Sequence, residues 1–223
     1  MKEHPILFTD EMVRAILDGR KTQTRRVVKV QPPDHRYRLA TCMSSTDRKI
    51  EGLHHWVHVV GNDQRDVSQP YFRCPYVVGD RLWGREAHVI GGPYPESPEI
   101  FYRATDSRRA QDVICDDYML ESIPWRPSIH MARRDSRITL EITDVRVERV
   151  QDISEEDAKA EGVESLGGKF FRDYLSRSTE SVDMTHLNAR ESFKSLWDSI
   201  NKKRGFGWDA NPWAWATTFE RVA

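Results

Sequence analysis

The chain has 223 residues, of which 38% are hydrophobic and 10% aromatic, so it is long enough to bury a core, which argues against global disorder. It carries 34 Lys and Arg against 35 Asp and Glu, and this net charge of -1 excludes a general attraction to nucleic acid or anionic membranes. Any site for a polyanion must therefore be a local patch.

The cysteine and hydropathy patterns argue against further protein classes. Cys42, Cys74 and Cys115 are an odd number, lie far apart and form no Cys-x-x-Cys pair, so neither a disulfide framework nor a zinc ribbon is predicted. The first residues lack the long apolar stretch of a signal peptide, and no segment approaches the roughly 18 apolar residues of a membrane span. We expect a cytoplasmic protein with no membrane contact.

The first predicted elements are a short helix and a strand. Thr9 is followed by two acidic residues and is a typical N-cap, and Gly19 is a typical helix end. The β-branched residues in 24–30 predict a strand. Residues 31–72 contain two adjacent prolines and no sustained hydrophobic period, so we interpret them as a loop-rich insertion.

The middle of the chain alternates strands with polar sequence. Residues 81–90 have the composition of a strand, and residues 91–135, which hold five of the eleven prolines, are interpreted as a second insertion. Apolar residues then alternate over 138–147, with a change of phase across Thr143-Asp144. A bend, a bulge or a tight hairpin at that point would explain the change.

The last third contains two predicted helices and a strand. Ser154 begins a motif similar to a capping box, which predicts a short helix ending near Glu161. Residues 163–184 are interpreted as a third insertion, and apolar residues at i, i+3, i+4 and i+7 predict a helix over 185–201. Over residues 213–219, large side chains alternate with smaller or polar ones, which predicts a half-buried strand.

These elements favour one α+β domain over residues 1–223. No internal repeat is present, and no linker divides the chain. We expect a small strand-rich body with insertions at about 31–72, 91–135 and 163–184.

A basic segment is the first candidate site. From Gly19 to Arg26 the chain holds four basic side chains and two threonines, which can bind phosphates or can form a solvated turn. Lys21 and Thr24 also permit chemistry with a hydroxyl nucleophile and a desolvated lysine as its base. Because residues three apart point to opposite faces of a regular strand, the two converge only if the turn is still open there.

Two other groups of residues carry charge or metal-binding chemistry. His54, His55 and His58 include a four-residue spacing that can bind a metal on a helix, but no carboxylate lies at a motif-like offset, which favours a surface loop. Arg85 and Glu86 lie in an otherwise apolar strand, where buried charge is costly unless it is paired. They can form a structural ion pair or line a pocket. We predict no metal and no organic cofactor.

The pattern Gly19-x-Lys21-x-x-Thr24-x-Arg26 resembles the signature G-x-K-x-x-[TE]-x-R of the ASCH domain, a family with a PUA-like β-barrel fold. More closely, the chain resembles ASCH proteins encoded by phages and prophages. The matching stretches include Pro5-Ile6-Leu7-Phe8, Gly79-Asp80-Arg81-Leu82-Trp83, Pro127-Ser128-Ile129-His130-Met131 and Asn211-Pro212-Trp213. The resemblance implies a small PUA-like β-barrel with short flanking helices and loop-rich insertions.

The resemblance also implies an activity and its residues. Small bacterial ASCH members are amidohydrolases that remove acyl groups from N4-acetylcytidine and related nucleosides. The Lys, Thr and Glu proposed for catalysis in that family fall on Lys21, Thr24 and Glu161. A nucleophile, a proton shuttle and charge stabilisation at the carbonyl oxygen are the groups that such a reaction needs.

Arg26, Arg85 and Glu86 are candidates for substrate binding in the same reaction. Other ASCH members are thought to bind RNA or have been described as ribonucleases, so a non-catalytic nucleic-acid binder stays open beside the enzyme. A phage structural or assembly factor is a third class. The expected partner is a modified nucleoside or short single-stranded RNA, and the sequence carries no signal for an oligomeric state.

Overall fold

The computed structural model describes residues 1–33, 36–43, 49, 51–60, 63–66, 70–91, 98–116, 122–175 and 185–222. In these ranges the chain has a mixed α+β fold, as the sequence predicts. Its strands and helices are, in chain order, β1 (Glu3–Leu7), α1 (Asp10–Leu17), β2 (Gln23–Val27), β3 (Tyr37–Thr41), β4 (His54–Val60), β5 (Asp63–Asp66), β6 (Arg81–Arg85), β7 (His88–Gly91), β8 (Glu99–Tyr102), α2 (Arg103–Ala110), β9 (Thr139–Arg149), α3 (Glu155–Ala160), β10 (Ser165–Gly167), β11 (Phe170–Arg172), β12 (Thr185–His186), α4 (Ala189–Asn201) and β13 (Trp213–Arg221). None of the helices in these ranges has the length and apolar character needed to cross a membrane.

The largest sheet has five strands in the order β1-β6-β9-β13-β2. Strand β1 runs parallel to β6, whereas the other neighbours pair antiparallel, so the sheet is mixed. The change of phase predicted at Thr143-Asp144 is a bulge. Asp144 faces Thr218 and Ile142 faces Phe219, which leaves Thr143 as the extra residue of β9.

Three smaller sheets, β3-β4-β5, β7-β8 and β10-β11-β12, lie outside the five-stranded one. Residues 31–72 are more regular than predicted, because they contain the antiparallel sheet β3-β4-β5. The prediction of one strand over 81–90 was wrong. The chain leaves the central sheet at Glu86-Ala87, and β7 then pairs with β8 instead.

Side-chain caps set where the helices begin. Thr9 and Ser154 cap α1 and α3 with oxygens that accept backbone N–H groups, as the sequence predicts. The helix predicted over 185–201 begins later, at Ala189, because Asn188 is its cap and the residues before it include β12.

The main core lies between the central sheet and helices α1 and α4. Apolar side chains from all these elements meet there, including Ile6, Ile16, Leu82, Leu140, Phe193 and Phe219. A second cluster around Val28, Trp56 and Trp215 joins the β3-β4-β5 sheet to the end of β2. Burial of these side chains is the main favourable term that holds the inserted sheet against the central one.

Candidate functional site

Lys21 and Glu161, two of the residues predicted to act together, form a buried ion pair. Lys21 Nζ lies 2.8 Å from Glu161 Oε2, and the two side chains are 0% and 3% exposed. The ammonium also donates to the backbone carbonyls of Gln23 and Glu161, both at 2.7 Å. All three N–H groups of Lys21 are therefore used in hydrogen bonds, as a buried ammonium requires.

Two glycines shape the contact between these distant parts of the chain. Gly19, with φ +74°, lies just after α1 and turns the chain toward Lys21. Gly162, with φ +84°, follows α3, and a Cβ on it would lie 2.7 Å from the Cβ of Lys21, so only glycine leaves room. A hydrogen bond of 2.8 Å from the Thr22 N–H to the Ala160 carbonyl ties the two turns together.

Arg25 connects the pair to a wider charge network. Its guanidinium is completely buried and donates to Glu161 Oε1 at 3.1 Å, to Glu148 Oε1 at 2.6 Å and to Asp157 Oδ2 at 2.9 Å. Arg146 also binds both Glu148 and Asp157. Lys21 and the two arginines meet the carboxylates of Glu161, Glu148 and Asp157, and Arg146 also reaches Asp144 at 3.4 Å, so each buried charge of the network has an opposite charge beside it.

Burial and neighbouring charges together shift the pKa of both Lys21 and Asp157 in this network. Burial lowers the pKa of Lys21 below its ordinary 10.5, although the charge and hydrogen bond of Glu161 oppose the shift. Burial by itself raises the pKa of Asp157, but the hydrogen bond from Gln23 and the charge of Arg25 help to hold it below its ordinary 3.8. Lys21 is therefore easier to deprotonate than an exposed lysine, which is a property that a general base requires.

Thr24, the third residue of the predicted catalytic set, lies on the other side of β2. Its side chain is buried, and it faces Thr217 of β13. Successive residues of a strand point to opposite faces, so Thr24 points away from the face on which Arg25 binds Glu161. In the described ranges no hydrogen bond joins the Thr24 hydroxyl to Lys21 or Glu161. The structure brings Lys21 and Glu161 together and leaves Thr24 apart.

A cleft of about 720 Å³ runs along β2 and the residues that follow it. The described residues that line it include five basic side chains and no carboxylate, the basic ones being Arg25, Arg26, Lys29, Arg73 and Arg204. Four aromatic side chains stand among them, namely Phe72, Tyr76, Phe206 and Trp215. The volume lies within the range of about 300–1,000 Å³ that is usual for small-ligand sites.

The outer basic side chains of this cleft have few partners of their own. Arg26 donates from Nη2 to the Leu7 carbonyl at 2.7 Å. Lys29, Arg73 and Arg204 are exposed, and none of the three has a carboxylate partner among the described residues. Their charge is available to an anionic ligand, to which Lys and Arg make strong charge-assisted hydrogen bonds.

Arg85 and Glu86, also predicted for substrate binding, do not line this cleft. Arg85 donates from Nε to the Met131 carbonyl at 3.1 Å and from Nη2 to the Ile129 carbonyl. Glu86 is 1% exposed and accepts two hydrogen bonds of 2.9 Å from Arg137. Both charged side chains thus hold parts of the chain together. Of the two alternatives for Glu86, a structural ion pair or a pocket wall, the structure shows an ion pair with Arg137.

His54, His55 and His58 lie in β4, neither on a helix nor in a loop. On a strand, residues four apart share a face but are separated by about 13 Å, which is too far for two imidazoles to hold one metal ion. Within the described ranges no group of three His, Cys, Asp or Glu side chains is arranged to hold a metal.

Arg25 and the aromatic walls of the cleft were not predicted from the sequence. Arg25 stands inside the basic segment, but its role depends on carboxylates that lie far along the chain. Phe72-Arg73 does place an aromatic residue beside a basic one, which is typical of nucleic-acid binding, but a single such pair at the end of the predicted insertion over 31–72 is a weak signal.

The chain was also compared with known proteins. No family model, no curated protein and no solved structure matches it. Function is therefore inferred from the cleft and from the buried Lys21–Glu161 pair, to which Arg25 is bonded.

Proposed function

We propose that the chain binds short single-stranded nucleic acid, with RNA as the expected ligand, in the cleft along β2. The observation that carries this proposal is the lining of the cleft, in which exposed cations and aromatic rings stand together without a carboxylate among the described residues. Cations bind phosphates, and aromatic faces stack on unpaired bases. Proteins that bind single strands use this combination.

The scale of the charge favours a short ligand. Residues 20–29 hold five basic side chains and no acidic one, whereas the whole chain has a net charge of -1. A long duplex is bound through phosphates spread over a large, strongly basic surface. A local patch within a neutral protein suits a few nucleotides instead.

Fluorescence anisotropy with a labelled single-stranded octanucleotide of RNA tests this proposal. We expect the affinity to fall as the salt concentration rises, because each phosphate contact releases counterions. Lys29→Ala and Arg73→Ala should each weaken binding and reduce the salt slope by about 0.7.

Lys203→Ala is the matched control for these variants. Lys203 is exposed and lies beside Arg204, but it does not line the cleft. The Lys203→Ala variant therefore removes one positive charge, as the test variants do, from a position next to the cleft. Equal weakening by Lys203→Ala, or no weakening by Lys29→Ala and Arg73→Ala, would contradict the proposal.

A second candidate function is hydrolysis of an acyl amide on a cytosine nucleoside, and the buried Lys21–Glu161 pair favours it. In this proposal Thr24 Oγ1 attacks the acyl carbonyl, and Lys21, when neutral, accepts the proton of that hydroxyl and returns it to the departing amine. Water then hydrolyses the acyl-threonine, which releases a carboxylic acid and restores Thr24. Arg26 shares the strand face of Thr24 and would stabilise the oxyanion.

This mechanism requires movement at the start of β2, because Thr24 must approach Lys21. Incubation with N4-acetylcytidine, followed by chromatography for cytidine, tests it. We expect wild-type turnover, none for Lys21→Ala or Thr24→Ala, and normal turnover for the exposed neighbour variant Thr22→Ala. No cytidine release by the wild type, or release by Lys21→Ala and Thr24→Ala at the wild-type rate, rejects the hydrolase.

The proposed fold family is the ASCH domain, in which the five-stranded sheet would be part of a PUA-like β-barrel. Strands β1 and β2 are the two edges of the sheet, yet Arg26 on β2 bonds the carbonyl of Leu7 on β1. A sheet that curls until its edges approach supports this assignment. The expected location of such a protein is the cytoplasm.

A further inference from the structure

A second cleft, of about 550 Å³, lies next to the first. Phe206 lines both clefts, and Gln31, at the second, directly follows Val30, at the first. The two clefts are therefore neighbours along residues 25–33, and Phe206 stands where they meet.

Arg149 gives the second cleft a cation held in a fixed position. Its guanidinium lies 4.7 Å from the ring centre of Trp213 and donates to the Asn211 carbonyl at 2.8 Å. Burial lowers the pKa of Arg149, while the charge of Asp152 opposes the shift. No carboxylate lines this cleft in the described part of the chain. A positioned arginine in a lining without acids suits a phosphate group.

We infer that the two clefts form one binding surface for a single strand of several nucleotides that crosses Phe206. Each cleft has the volume of a small-ligand site and is large enough for one nucleotide unit or more. Phe206 offers a ring on which a base can stack at the boundary. The inference rests on the proposed nucleic-acid binding and adds to it the length of the ligand.

Isothermal titration calorimetry with uridine monophosphate and with octauridylate tests the length of the surface. Pro33 is exposed and lines the second cleft but not the first, so Pro33→Glu places a negative charge there alone. Leu187→Glu adds the same charge at a position that is 68% exposed and lines neither cleft.

We expect octauridylate to bind the wild type at least about tenfold more tightly than the monophosphate, since it reaches further phosphate and stacking contacts. Pro33→Glu should weaken octauridylate by about tenfold, leave the monophosphate within about twofold, and reduce the salt slope for octauridylate by about 0.7. Leu187→Glu should leave both affinities unchanged.

Two results overturn the inference while the proposed function stands. One is equal wild-type affinity for the monophosphate and octauridylate. The other is a Pro33→Glu effect on octauridylate that is no larger than that of Leu187→Glu. If neither ligand binds the wild type, the proposed nucleic-acid binding fails as well.

Discussion

Replacement of Glu161 by Gln measures how strongly the buried pair stabilises the fold. The change keeps the size of the side chain and removes its negative charge, so Lys21 keeps two carbonyl acceptors and loses the carboxylate 2.8 Å away. Arg25 loses its partner at 3.1 Å but retains Glu148 and Asp157. The variant thus leaves one buried ammonium without a paired charge.

The cost of that change follows from the distance and the burial. At 2.8 Å and an effective dielectric constant of about 20, the two charges attract by about 6 kcal/mol. Loss of the carboxylate also removes its desolvation cost, so the free energy of unfolding should fall by about 3–5 kcal/mol. For a chain of 223 residues, this loss corresponds to a decrease in Tm of about 6–20 °C.

Thermal and urea unfolding followed by circular dichroism measure this loss. Glu99→Gln is the matched control, because Glu99 pairs with Arg109 at an exposed position, where an ion pair contributes about 0–1 kcal/mol. The double variant Lys21→Met/Glu161→Gln should cost less than the sum of its single changes by about 0.5–3 kcal/mol. A loss for Glu161→Gln no larger than that for Glu99→Gln would refute the reasoning.

Three further predictions follow from particular contacts. Gly162→Ala should lower the free energy of unfolding by about 1–3 kcal/mol, because its Cβ would meet Lys21 at 2.7 Å; an unchanged urea midpoint would contradict this. The depressed pKa of Asp157 stabilises the fold above pH 3.8, and this contribution is lost as the pH falls through the folded-state pKa. The free energy of unfolding, measured by urea titration at a series of acidic pH values, should therefore fall less steeply for Asp157→Asn than for the wild type. Gly84→Ala places a Cβ 3.0 Å from that of Ile138, and it should cost about 1–3 kcal/mol in thermal unfolding without changing RNA affinity below the transition.

Elements decided by a few consecutive residues could be predicted from the sequence. The caps Thr9 and Ser154 are of this kind, because a side-chain oxygen determines each of them. The change of phase predicted an irregularity at Thr143-Asp144, but it left a bend, a bulge and a hairpin open, and only the structure shows the bulge. Strand β1 was not predicted: it contains Pro5, and it depends on parallel pairing with β6. Strand β4 depends in the same way on β3 and β5, since histidines interrupt its apolar pattern.

Within the candidate site, only residues that belong to a recognised sequence motif were predicted. Lys21 and Glu161 meet as expected, whereas Thr24 obeys the alternation of a regular strand and points the other way. The cleft has walls from four separated segments, around β2, around Arg73, around Phe206 and at Trp215 of β13. Their proximity depends on how the inserted sheet packs on the central one, which no local pattern encodes.

Arg25 links the two candidate functions, because it lines the cleft and also bonds Glu161. The Arg25 guanidinium is 0% exposed, so an anionic ligand in the cleft would act on it through the electric field and not by direct contact, and this attraction would oppose its bond to Glu161. A weaker bond to Arg25 leaves the Glu161 carboxylate freer to hold the charged form of Lys21, so occupancy of the cleft and the proton affinity of Lys21 are coupled. By reciprocity, deprotonation of Lys21 must then change the affinity of the cleft by the same factor. If both proposed functions hold, nucleic-acid binding and amide hydrolysis are not two independent uses of β2, since a ligand in the cleft would change the charge state on which the proposed hydrolase depends.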